Sequence, residues 1–100
     1  MPEQHLAMHR LYLANRRGLP FAAPDRRAVV AALLSAGLGA TVTDGVGLWA
    51  GRSLPTLVLH VAATGEALRA LAGRLRRRFG QHAIALEAGG AFELLGGRAA

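Results

Sequence analysis

Apolar residues change their spacing several times along this chain, and each change marks an element boundary. Leu11 and Leu13 alternate with Arg10 and Tyr12 across His9 to Ala14, the period-two pattern of a half-buried strand. Asn15 to Ala23 reads as a loop carrying Arg16-Arg17-Gly18 and Pro20. From Pro24 the period lengthens. Val29, Val30, Leu33 and Leu34 recur at helical spacing, with Asp25 as the expected N-cap and Gly37 as the left-handed stop. Ala40 to Ala50 is rich in β-branched residues and predicts a strand, in which Gly45 and Gly47 predict a bulge or bend. Gly51-Arg52-Ser53 reads as a hairpin connection, and Leu54 to Ala62 as a strand with Pro55 near its start.

Thr64 is the expected cap of a second helix, with Glu66 in its first turn. Leu68, Leu71, Ala72, Leu75 and Phe79 fall within about 100° on a helical wheel, and Arg69, Arg74, Arg76, Arg77 and Arg78 occupy the rest. Gly80 ends that helix. His82 to Glu87 reads as a last core strand, and Gly89-Gly90 as a tight turn into a short strand, Ala91 to Leu95. The order β-α-β-β-α-β defines an α+β, ferredoxin-like fold: an antiparallel sheet with two helices on one face and a C-terminal β-hairpin extension. Residues 8–95 form the expected single domain, with flexible tails at 1–7 and 96–100.

Composition narrows the picture. Half the residues are hydrophobic (52%), so the chain has the material for a core. Its apolar runs fall short of the roughly 20 residues that cross a bilayer. Met1-Pro2-Glu3-Gln4-His5 carries no apolar signal core, so a cytoplasmic location is expected and no membrane partner. Without cysteine there is no disulfide, thiolate metal site or cysteine nucleophile. Twelve arginines and no lysine stand against six acids, for a net charge of +6. That excess favours an anionic partner: nucleic acid, a nucleotide or an acidic protein surface.

Two groups of residues carry candidate sites. Arg74, Arg76, Arg77 and Arg78 crowd the end of the second helix, where guanidinium forks match phosphate oxygens and where the helix dipole also favours positive charge. On the sheet face turned away from the helices, alternation places Arg10, Tyr12 and His60, joined by Trp49. Such a face serves pairing of two sheets into a homodimer, a ligand pocket, or stacking of bases.

The chemistry that would make an enzyme is thin. Gly45-Val46-Gly47-Leu48-Trp49-Ala50-Gly51 leads into a hairpin and not a helix, which excludes a phosphate loop. His5 and His9 lie in the expected N-terminal tail with no third ligand, so no metal is expected. His60 has no carboxylate or nucleophile beside it in the pattern, Ser35 and Ser53 lack an elbow context, and the acids are scattered. No catalytic residue and no cofactor is expected, and the chain reads as a non-enzymatic binding module.

The chain also resembles a group of small uncharacterised domains of bacteria and their phages. The resemblance rests on Leu11-Tyr12-Leu13, Gly47-Leu48-Trp49, Leu57-Val58-Leu59-His60-Val61 and Arg78-Phe79-Gly80-Gln81-His82-Ala83-Ile84. Members often carry a charged residue before the third strand, where this chain has Leu54-Pro55. The resemblance implies a ferredoxin-like fold and a mobile-element or phage setting, and no activity. Two alternatives to the module follow: a phage-type inhibitor of a host defence complex or enzyme, and a small-molecule or nucleotide pocket around Trp49 and His60.

Overall fold

The computed structural model of the protein describes residues 6–81, 84–88 and 91–95. The elements run β1 (Ala7–Ala14), α1 (Ala23–Ala36), β2 (Gly39–Trp49), β3 (Arg52–Ala63), α2 (Gly65–Arg78), β4 (Ile84–Ala88) and β5 (Ala91–Leu95). One antiparallel sheet orders them β2-β3-β1-β4-β5. The first four strands of that order are compatible with a ferredoxin-like arrangement, and β5 extends the edge beside β4. His5, His82, Gly89-Gly90 and residues 96–100 lie outside the described residues.

Strand alternation builds the core. Leu11, Leu13, Leu57, Leu59, Val61, Ile84 and Leu86 form one buried cluster with Val29, Ala32 and Leu33 of α1 and Leu68, Leu71, Ala72 and Leu75 of α2. The α2 face matches its sequence pattern, with Phe79 packed against the cluster's edge. On α1 the expected face turns by one residue. Val29 and Leu33 are buried, whereas Val30 and Leu34 are exposed. Adjacent pairs straddle a helix by about 100°, so only one member of each pair can face the sheet. Ala32 fills the third position.

His9 lies in β1, as the strand reading from His9 to Ala14 has it and not in a tail with His5; it is buried on the helix-facing side and pairs through Nε2 with the Ala63 carbonyl at 3.1 Å.

The helix ends follow stereochemistry. Thr64 caps α2 by accepting from the Ala67 N–H at 3.1 Å, as the sequence predicts. Asp25 is not the cap of α1. The helix opens at Ala22 with no side-chain cap, and Asp25 lies within its first turn. Both helices close with paired bonds into a left-handed glycine. Leu38 N–H reaches Leu33 O and Gly37 N–H reaches Leu34 O. Gln81 N–H reaches Arg76 O and Gly80 N–H reaches Arg77 O in the same way.

The β2–β3 hairpin differs from its reading twice. β2 pairs with β3 residue for residue from Gly39 to Trp49, without a bulge. The turn is Ala50-Gly51, both with positive φ (49° and 77°), so Arg52 already stands in β3. Positive φ at both central residues is what a tight hairpin turn of matching twist requires.

Arg26 of α1 forms a two-pronged ion pair with Asp44 of β2, one prong being Nη1 to Oδ2 at 3.2 Å. Hydrogen bonding to Arg26, more than its charge, holds the Asp44 carboxyl below the usual carboxylate range. A lowered pKa contributes stability above the unfolded value and loses it as pH falls through the folded one. Asp44→Asn is therefore expected to lower the melting temperature slightly at neutral pH. The gap should close below the carboxylate range and shrink with salt, since the pair is exposed. Thermal melts of both proteins across pH check this.

Candidate functional site

Topology gathers three connections at one end of the sheet. β1 ends there at Ala14, β3 starts there at Arg52, and α2 delivers Phe79-Gly80-Gln81 towards β4. Between them lies a cleft of about 590 Å³. Its lining includes Arg16, Arg17, Arg52 and Arg78, four arginines against the single carboxylate of Asp25.

The walls of this cleft are built locally. Asn15 turns the chain out of β1: its N–H donates to Pro55 O at 2.8 Å, its carbonyl accepts from Gly18 N–H, and its side chain accepts from Arg17 N–H at 3.0 Å. Gly18 takes positive φ (76°), which completes that turn. Phe21 then plugs back into the core and meets Phe79 edge-on, with ring centroids 6.3 Å apart. The Arg78 guanidinium lies 5.4 Å from the Phe79 centroid. Arg52 reaches the Arg16 carbonyl at 3.4 Å, bringing hairpin and loop together. None of these four arginines has a carboxylate partner among the described residues. The uncapped start of α1 points its positive dipole end the same way.

A second pocket of about 260 Å³ opens beside it on the sheet face away from the helices. It is lined by Tyr12, Trp49, Leu54, Ala85 and Leu94, and shares Ala14, Arg16 and Gln81 with the cleft. Trp49 is set by Gly47. A Cβ on Gly47 would collide with the Trp49 indole nitrogen and stand 2.6 Å from Thr56 Oγ1, so the ring lies back across the glycine. This, and not a bend, is what Gly47 provides. Gly47→Ala should push the indole outward at a cost of about 1–3 kcal/mol, seen as red-shifted emission from the single tryptophan.

The four residues expected on the open face all lie there. They do not form one site. Arg10 pairs with Glu87 at 3.4 Å, and Tyr12 donates to the same carboxylate at 3.1 Å. Hydrogen bonding to Tyr12 first, and the charge of Glu87 second, raises the Arg10 pKa above its ordinary value. Glu87 was missed from sequence because the pairing of β1 with β4 supplies the contact. His60 sits opposite Arg10 and contacts Thr43 Oγ1 at 3.4 Å, whereas Trp49 sits opposite Arg52. At about 3.3 Å per residue their backbone positions stand roughly 26 Å apart along β3. The pocket that Trp49 lines does not include His60.

The arginine cluster is likewise divided. Arg74, Arg77 and Arg78 line a groove of about 490 Å³ between α1 and α2, floored by Ala28, Ala31 and Ala32. Arg74 also reaches Ser35 Oγ at 3.5 Å. Arg76 is half-buried and lines neither groove nor cleft. Only Arg78 reaches the cleft. The sequence reading missed Arg16, Arg17 and Arg52. Their signal was topological: in this element order the β1–α1, β2–β3 and α2–β4 connections share one end, and arginine lies in the first (Arg16, Arg17) and directly beside the other two (Arg52 at the start of β3, Arg78 at the end of α2). Among the described residues no cluster of metal-ligating side chains occurs and no helix is long and apolar enough to cross a membrane.

No protein-family model and no curated protein matches the sequence. A solved structure is similar in fold: a phage SAM lyase in the apo state, at a TM-score of 0.57 and 15% identity, covering 94% of this chain and 83% of that one. The common ground is the fold. The neighbour is a phage protein with a similar α+β fold, and it is an enzyme. That overturns the expectation of a non-enzymatic chain, because thin motifs in a small sheet of this kind do not argue against catalysis.

Proposed function

We propose that the protein binds a phosphate-bearing small ligand in the arginine cleft at the end of its sheet. The observation that carries this reading is the convergence of Arg16 and Arg17 from the β1–α1 connection, Arg52 from the start of β3 and Arg78 from the end of α2, with no carboxylate partner among the described residues. Unpaired guanidinium groups around a concave surface focus positive potential, and their forks fit phosphate oxygens two at a time. The start of α1 adds to the same field. The divided helix arginines support a compact ligand over a long nucleic acid laid across α2.

Thermal melting in inorganic triphosphate at low salt tests the reading. Ligand at one hundred times its dissociation constant stabilises by about 2.7 kcal/mol, so a clear upward shift that fades with salt is expected. A melting temperature unmoved by triphosphate contradicts it.

A second reading is favoured by the lyase fold of the structural neighbour. Tyr12, which lines the open-face pocket, donates to Glu87, which also accepts from Arg10, so a carboxylate-anchored hydroxyl stands at the pocket. Incubation with SAM, followed by chromatography of the products, checks it. Turnover lost in Glu87→Gln supports the reading, and intact SAM contradicts it.

A further inference from the structure

We infer that the arginine cleft and the indole pocket are two halves of one nucleotide site, with phosphates in the first and the heterocyclic base in the second. The inference rests on the phosphate reading of the cleft and specifies its ligand. Its ground is adjacency. The two cavities share Ala14, Arg16 and Gln81 in their linings, so they lie side by side and meet at these three residues. Taken together their volumes lie within the roughly 300–1,000 Å³ of small-molecule sites.

The halves differ as the ends of a nucleotide differ. One is lined by four arginines. The other offers Tyr12 and Trp49 with Leu54, Ala85 and Leu94, an apolar lining with aromatic rings against which a flat base can lie. Both ring positions are fixed before a ligand arrives. Trp49 rests over Gly47 and Thr56, and the Tyr12 hydroxyl is anchored on Glu87 at 3.1 Å. Gln81 stands at the junction, its side-chain amide donating to Ala14 O at 2.6 Å and its backbone N–H to Arg76 O at 2.9 Å. That double tether joins α2 to the end of β1 where the halves meet. Rings and arginines held in this way bind without first ordering themselves, which favours affinity.

Emission from Trp49, the single tryptophan, reads the base half directly, and calorimetry reads both halves. The probes are ATP, inorganic triphosphate and adenosine, at low salt. ATP is expected to quench Trp49 and to bind at least tenfold more tightly than triphosphate, with adenosine weaker than ATP. Trp49→Leu should bring ATP down to the affinity of triphosphate and leave triphosphate unchanged. If ATP and triphosphate bind equally in the unaltered protein, without quenching, the bipartite site is wrong and the phosphate cleft stands. If neither binds, both readings fall. Adenosine binding as tightly as ATP would likewise overturn both, since the phosphates would then contribute nothing.

Discussion

Replacing Leu59 with alanine is expected to destabilise the protein by about 2–5 kcal/mol, the range for a large-to-small change in a closed core. Leu59 lies in β3 opposite Leu11 on one side and Val42 on the other, with no surface exposed. It faces the helices, and the rigid strands around it cannot collapse into the space it leaves. Domains of this kind are stable by only about 5–15 kcal/mol, and each kcal/mol moves the midpoint by roughly 4–8 °C. Thermal denaturation should therefore show a fall of about 8 °C or more. Leu34→Ala is the matched control. Leu34 fits the apolar spacing of α1 but is 75% exposed, so its removal should change stability by less than about 0.5 kcal/mol. Equal losses in the two variants would mean that α1 is turned differently on the sheet.

The second large effect concerns the cleft. Arg52→Glu is expected to weaken triphosphate binding by roughly tenfold to a hundredfold, since a hydrogen bond to a charged group is removed and a repulsive charge is put in its place. Arg74→Glu makes the same change of charge on α2, facing the groove between the helices instead of the cleft. It should alter binding by less than about threefold at moderate salt, because Arg74 does not line the cleft and salt screens a charge that makes no direct contact with the ligand. Neither change should unfold the protein, because both guanidinium groups make only long contacts, at 3.4 and 3.5 Å. Calorimetric titration of the two variants separates the cleft from the helix face. Equal losses would return the anion site to general surface charge.

The sequence carried the architecture well because the architecture follows from periodicity and punctuation. Alternation at Leu11 and Leu13, the Leu68–Leu75 face of α2, the Thr64 cap and the left-handed Gly37 and Gly80 are local features whose meaning hardly depends on the rest of the chain. The rotation of α1 was hidden because Val29-Val30 and Leu33-Leu34 offer two stripes of equal hydrophobicity, and only the sheet chooses between them. Gly47 was misread for a related reason: what occupies the space above a glycine is a long-range fact. The site was less legible than the fold. Density of arginine along the chain drew attention to residues 74–78, yet a cleft depends on which loops meet. Arg16 and Arg52 are far apart in sequence and meet only because β1 and β3 run antiparallel. Glu87, next to Arg10 and Tyr12 through strand pairing, was invisible for the same reason.

Amide chemical-shift mapping of the protein titrated with inorganic triphosphate tests the central claim most directly, because it reports position along with binding. The largest shifts are expected on Asn15 to Ala22, on Ala50 to Arg52 and on Phe79 to Gln81, fading as salt rises. Shifts concentrated on the outer face of α2 around Arg69 to Arg77, with the three connections silent, would contradict it.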